Sequence, residues 1–227
     1  MSDQAVLLEA GDKFGLGGNF VAQNSDTTTD QEWARMLNSN GKWLKWSNEF
    51  NAITNVTVVY KYNATTGLYS ALPLLGAVSN SIIITGIDIE SVHDDWPTIT
   101  ITGHNHTANA HENDRNTWDL SSFLTLATGA FGAYDWAGLA ADEVCAQRST
   151  ISASVNHLDE NCDHEHWVGQ NIQAQLTATV EYIGPITAPS IENWNVSSWH
   201  NGDSNEAFDK SSITIERPLD GTISEEV

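Results

Sequence analysis

The strongest constraint on this chain is a two-residue period. Residues 98–102, Thr-Ile-Thr-Ile-Thr, alternate without a break, and so do residues 173–182, QAQLTATVEY. In an extended chain successive side chains point to opposite faces, so this period makes a strand with one dry face and one wet face. A helix would need its apolar residues three and four apart. Related β-branched or alternating runs fill 55–62 (NVTVVYKY), 81–92 (SIIITGIDIESV), 97–104, 149–157, 170–184 and 211–218. Gly86 is placed to mark a bulge. Pro97 can open a strand but cannot sit inside a sheet.

These runs predict a mainly β chain: an antiparallel β-sandwich or barrel with one or two short helices and extended terminal arms. Thr29-Asp30-Gln31-Glu32 fits a capping box, and Trp33, Met36 and Leu37 follow at helical spacing, so a short helix is expected near 30–37. The run AGLAADEVCAQR allows a second helix near 137–147. Residues 1–28 read as an N-terminal arm or loop, 29–218 as a single β-sandwich domain, and 219–227 as a C-terminal arm. The polar stretch 158–169 reads as a loop joining two strands. GLGG at 15–18 lacks the strand before it and the Lys-Ser/Thr after it that a phosphate loop requires.

Charge narrows the function. The chain has 227 residues, with 30 acidic against 9 basic side chains and a net charge of −21. Such a surface repels phosphates and anionic headgroups, which argues against direct, sequence-specific nucleic-acid binding. It suits either a solvated surface or the lining of a conduit for a polyanion. No run reaches the roughly 18 apolar residues of a membrane span. The first residues lack a basic segment followed by an apolar run, so no signal peptide is expected. The 2 cysteines, Cys145 and Cys162, make no disulfide framework. The 9 tryptophans are scattered along the chain, which suits core and interface packing or a sugar-stacking platform.

The first alternating strand runs into His104, His106 and His111, and the pattern has an echo. Residues 98–112 (TITITGHNHTANAHE) and 150–165 (TISASVNHLDENCDHE) both begin Thr-Ile, then give Asn-His, then His-Glu. If the echo is structural, two strands deliver equivalent loops to one end of a sheet. Imidazole is the commonest transition-metal ligand, so His104, His106, His157, Cys162, His164 and His166 are the metal-ligand candidates. The same residues could instead hydrogen-bond loop backbone or neighbouring subunits. The run DENCDHE (159–165) lacks the glycine-spaced layout of a calcium loop. No nucleophile elbow, P-loop or HExxH occurs, so no enzyme activity, catalytic residue or cofactor is expected.

An acidic β chain of this length, with a capped helix, Gly-rich termini and Thr-rich strands, resembles the tail tube proteins of long-tailed bacteriophages and related injection machines. The resemblance is one of overall pattern and covers about 50–218 plus the helix at 30–37. It implies a virion structural protein, assembled in the host cytoplasm, whose β-sandwich subunits form stacked rings around an acidic DNA conduit. Its partners would be itself and other virion proteins. On this reading the pairs 55–62/81–92 and 149–157/170–184 supply sheet walls, and loops 104–112 and 157–169 sit at subunit contacts. Two other classes stay open: a carbohydrate-binding β-sandwich module, and a metal-binding protein or metal-dependent enzyme.

Overall fold

The computed structural model describes residues 11–106, 116–124, 144–162, 165–187, 194–202 and 209–220, excepting the side chains of 31–36, 43–52, 106, 159–162 and 165–169. Alternation becomes one antiparallel sheet. Its strands are β1 (Phe20–Leu37), β2 (Trp43–Tyr62), β3 (Val78–Ser79), β4 (Ile82–Val92), β5 (Thr98–His106), β6 (Cys145–Cys162), β7 (Glu165–Ile183), β8 (Asn195–Gly202) and β9 (Lys210–Pro218). The order across the sheet is β1-β2-β5-β4-β6-β7-β9-β8, with β3 on β4. Strands β2 and β7 lie four places apart in that order yet still touch, so the sheet curls over its core. It does not close: β1 and β8 remain at opposite ends of the order, which removes the barrel form of the expectation.

The curl follows from the alternation. Val56, Val58, Tyr60 and Tyr62 of β2, Ile99 and Ile101 of β5, Ile151 and Ala153 of β6, Leu176, Ala178 and Val180 of β7, and Ile213 and Ile215 of β9 all join one core. Burying each Val, Leu or Ile among them contributes roughly 1.5–3 kcal/mol. The residues between them form the wet face. Asp88 stands opposite both Thr100 and Ser152, and Glu90 opposite both Thr98 and Thr150. Thr179 and Thr214 face each other across β7 and β9 with their hydroxyls 3.1 Å apart. On the same face Arg148 reaches Glu90 at 2.8 Å and Glu181 at 3.9 Å. In β4 the register against β5 shifts between Ile84 and Gly86, which is the bulge that Gly86 signals.

Connecting segments cap the core. Phe14, Leu68, Leu75, Trp118, Leu120 and Leu124 are buried against it. Leu68–Ala71 forms a single α-helical turn, α1. The 15–18 glycine patch wraps around a carboxylate of the chain itself. Asp12 accepts hydrogen bonds from the amides of Gly15 (2.9 Å), Leu16 (3.3 Å) and Gly17 (3.0 Å), and from the Tyr60 hydroxyl at 2.6 Å. Gly15 and Gly17 hold φ of 64° and 55°, the left-handed region that lets consecutive amides converge. This nest is filled by Asp12. Burial first, and then Asp12, push the Tyr60 phenol well above its ordinary pKa.

Several expectations are corrected. The helix expected near 30–37 is the C-terminal part of β1, paired with Trp43–Ile53 of β2. Tertiary pairing overrides the local capping signal here. The N-terminal arm is shorter than 1–28, because Phe14 packs on the core and β1 begins at Phe20. Residues 1–10 lie outside the described residues. The C-terminal arm is pinned at its start: Leu219 is buried, its amide donates to Ala174 O, and Asp220 accepts from the Ala174 amide. Residues 221–227 lie outside the described residues. In the second expected helix, 137–143 lies outside them, and 145–147 belongs to β6. Strand 55–62 pairs with β1 and β5 rather than with 81–92. The loop expected at 158–169 is mostly strand, with β6 paired to β7 as far as Cys162 opposite Glu165.

Candidate functional site

The register turns the sequence echo into geometry. β5 and β6 flank β4 on its two sides, both antiparallel to it. Thr98 and Thr150 both stand opposite Glu90, Ile99 and Ile151 opposite Ile89, and Ile101 and Ala153 opposite Ile87. The two strands therefore reach the Ile82 end of β4 in step, and the histidines that end each motif arrive at the same end of the sheet.

From that end two ribbons extend. β2 pairs with β5 only from Ile53 onward, so Trp43–Ala52 pairs with β1 alone among the described residues. β4 pairs with β6 no further than Ser154, and β9 pairs with β7 no closer to the hairpin tip than Gln175. Beyond those limits Asn156–Cys162 and Glu165–Ile172 form a second two-stranded ribbon among the described residues. His104, opposite Asn55 on β2, sits near the base of the first ribbon. His157, opposite Asn171 on β7, sits at the base of the second.

The two imidazoles meet. The rings of His104 and His157 lie with centroids 4.8 Å apart and planes tilted by 55°. Both Nε2 atoms are buried. A third residue organises the pair. Asn171, fully buried at 0 % exposure, donates from Nδ2 to Gly76 O at 3.0 Å and to Asn116 O at 2.9 Å. Its Oδ1 lies 2.6 Å from His157 Nδ1. Gly76 makes this approach feasible. A Cβ there would lie 2.5 Å from Asn116 O and 2.6 Å from Asn171 Nδ2, and its φ of 84° favours glycine. Chain 76–79 runs along β4 at this end. Gly76 donates to Ile84 O, Ile84 donates to Ala77 O, and Val78 pairs with Ile83.

Of the six metal-ligand candidates, His104 and His157 come together. His106 stands opposite Ile53 at the end of β5, and its side chain lies outside the described residues. Cys162 and His166 occupy the tip of the second ribbon, opposite Glu165 and Asn161 respectively, with side chains also outside them. His164 lies outside the described residues altogether. No group of three His, Cys, Asp or Glu side chains able to hold a metal occurs among the described residues. Asn171 carries no signal in the sequence, because a lone Asn in QNIQAQ reads as a surface residue. Its partners lie 95 and 55 positions away.

Cys145 and Cys162 stand at the two ends of β6. Seventeen residue rises of ~3.3 Å separate them by on the order of 50 Å, against the ~7 Å limit for a bridge, so they do not pair within one chain. Cys145 is an exposed free thiol. The tryptophans divide in the same manner: Trp118 is buried in the core and Trp194 packs against it, while Trp199 on β8 is 46 % exposed. No helix among the described residues is long and apolar enough to cross a membrane. The chain matches no protein-family model and no curated protein.

Proposed function

We propose that this protein is a self-assembling structural subunit of a virus particle, of the kind that stacks in rings to build a phage tail tube. The observation that carries the reading is the open sheet. Among the described residues, β1 pairs only with β2 and β8 only with β9. An unpaired edge is a template for another strand, and proteins that stay monomeric blunt or cover their edges. Here the two edges lie at opposite ends of one sheet, so β1 of one copy can pair with β8 of the next. That contact is head-to-tail, and it closes into a ring when the rotation between copies divides a full turn.

Three further features support this reading. Trp199 exposes 46 % of its surface on β8, Leu37 53 % at the end of β1, and Leu158 54 % on the second ribbon. Exposed aromatic and aliphatic side chains beside an open edge suit an interface. A two-stranded ribbon is marginal alone in water, and contacts with a neighbouring copy or another virion protein would support both ribbons. Asp88, Glu90, Glu181 and Glu216 lie on the wet face, and a wall carrying them repels the phosphates of a passing nucleic acid. On this reading the subunit is assembled in the host cytoplasm and resides in the virion.

Negative-stain electron microscopy of the purified protein over a concentration series tests the proposal. Rings or tubes with a central hole are the expected result. Featureless particles of single-subunit size at every concentration would overturn it.

A further inference from the structure

The histidine pair is not used by the assembly reading, and it supports an inference that stands independently. Asn171 sets the orientation of the pair. Its Nδ2 has two hydrogens, and both are taken by the carbonyls of Gly76 and Asn116. A flipped amide would set Oδ1 against two carbonyl oxygens, so the orientation is determined. Oδ1 therefore faces His157 Nδ1, and an amide oxygen can only accept. The proton on neutral His157 must be on Nδ1, which leaves the lone pair on Nε2. A ring N–H held by a carbonyl oxygen, with the other nitrogen presented as a base, is how proteins orient a metal-ligating histidine.

The second imidazole is at a matching distance. A zinc–nitrogen bond of about 2.1 Å puts the metal about 3.2 Å from a ring centre, so two ligating rings have centres about 4.5 Å apart at a right angle and about 5.2 Å apart at the tetrahedral angle. The centroids of His104 and His157 are 4.8 Å apart, between those limits. Their Nε2 atoms are also shielded from bulk water.

We infer that His104 and His157 are the two protein ligands of a site for one divalent transition-metal ion, such as Zn²⁺ or Cu²⁺, with Asn171 as the residue that positions His157. Water would complete the coordination. Such an ion would join β5 to β6 where the two ribbons leave the sheet, and so fix the base of one ribbon against the other.

The test is equilibrium dialysis and calorimetric titration of the full chain with Zn²⁺ in excess Mg²⁺. The Mg²⁺ occupies the carboxylates, which hold hard cations without selectivity. One Zn²⁺ per chain is expected, released on acidification as protons compete for the ligand nitrogens. His104→Ala and His157→Ala should each abolish that binding, and Asn171→Ala should weaken it about tenfold. Absence of Mg²⁺-resistant Zn²⁺ binding, or binding unchanged by His104→Ala and His157→Ala, would overturn the inference. Should those variants fail to fold, Cu²⁺ on the unaltered protein decides. Superhyperfine splitting from two imidazole nitrogens in the electron paramagnetic resonance spectrum supports the site, and an all-oxygen spectrum removes it.

Discussion

Replacing Asn171 by alanine tests the polar hub at the base of the second ribbon. The substitution removes the donor to Gly76 O at 3.0 Å, the donor to Asn116 O at 2.9 Å, and the acceptor of His157 Nδ1 at 2.6 Å. Asn171 itself is at 0 % exposure, and its contact with Gly76 is buried, while those with Asn116 and His157 are partly buried. A buried polar group left without a partner costs about 1–3 kcal/mol. If the vacated space stays dry, three such groups lose their partner and the cost is at least about 3 kcal/mol. If one water enters, it can restore two of the three contacts, which lowers the cost to about 2 kcal/mol. The expected loss is therefore about 3 kcal/mol, most of it surviving even with a water in place. Urea unfolding followed by tryptophan fluorescence measures it, as a lower midpoint at unchanged slope. A double-mutant cycle with His157→Ala should show coupling, with His157→Ala costing less in the Asn171→Ala background. A loss below about 0.5 kcal/mol would refute the reasoning, since surface substitutions fall in that range.

Three other outcomes follow from the same structure. Asp12→Ala removes the acceptor of three loop amides and of the Tyr60 hydroxyl. It should destabilise the chain by about 3 kcal/mol in urea unfolding and bring the Tyr60 phenol down in a spectroscopic pH titration, while burial still holds it above the ordinary value. Gly76→Ala forces a methyl to 2.5 Å from Asn116 O at a φ of 84° and should cost about 3 kcal/mol or more in the same assay. Lys61→Met removes the 2.5 Å partner that is the first cause of the lowered Asp95 pKa, ahead of the Trp96 amide. The Asp95 carboxyl should then titrate higher by NMR. A folded-state pKa below the unfolded one contributes stability above the unfolded pKa and loses it as pH falls through the folded value, so the variant should lose less stability on acidification.

The strands that bury a face were legible, because burial on one side writes a period of two into the sequence. Ile99 and Ile101 of TITIT, and Leu176, Ala178 and Val180 of QAQLTATVEY, point into the core as the alternation requires. Strands wet on both faces carry no such signature. Beyond Ala22 the described side chains of β1 are largely exposed, and NSDTTTD shows no apolar alternation. The stretch 158–169 likewise shows no apolar alternation and read as a loop, yet most of it is strand. The helix at 30–37 was a conflict between local and distant preferences. Its capping box and its Trp33, Met36 and Leu37 spacing are real, yet pairing with Trp43–Ile53 prevails. In the site, the echo anticipated that two histidine motifs reach one end of the sheet. It did not pair the right members: Asn105-His106 aligns with Asn156-His157, whereas the ring that meets His157 belongs to His104. The β4 bulge at Ile84/Gly86 shifts β5 relative to β4, and no local pattern encodes the consequence.

Sedimentation velocity of the full chain over a concentration series is the most direct test of an open-edged, self-assembling subunit. Moderate salt should be present, so that the repulsion of a −21 chain is screened. Edge-to-edge assembly should give a mass that climbs with concentration to a discrete multiple of 24.8 kDa, and a return toward the monomer when a proline is placed in the β8 edge at Ser198. A single species at 24.8 kDa across the whole range would contradict it.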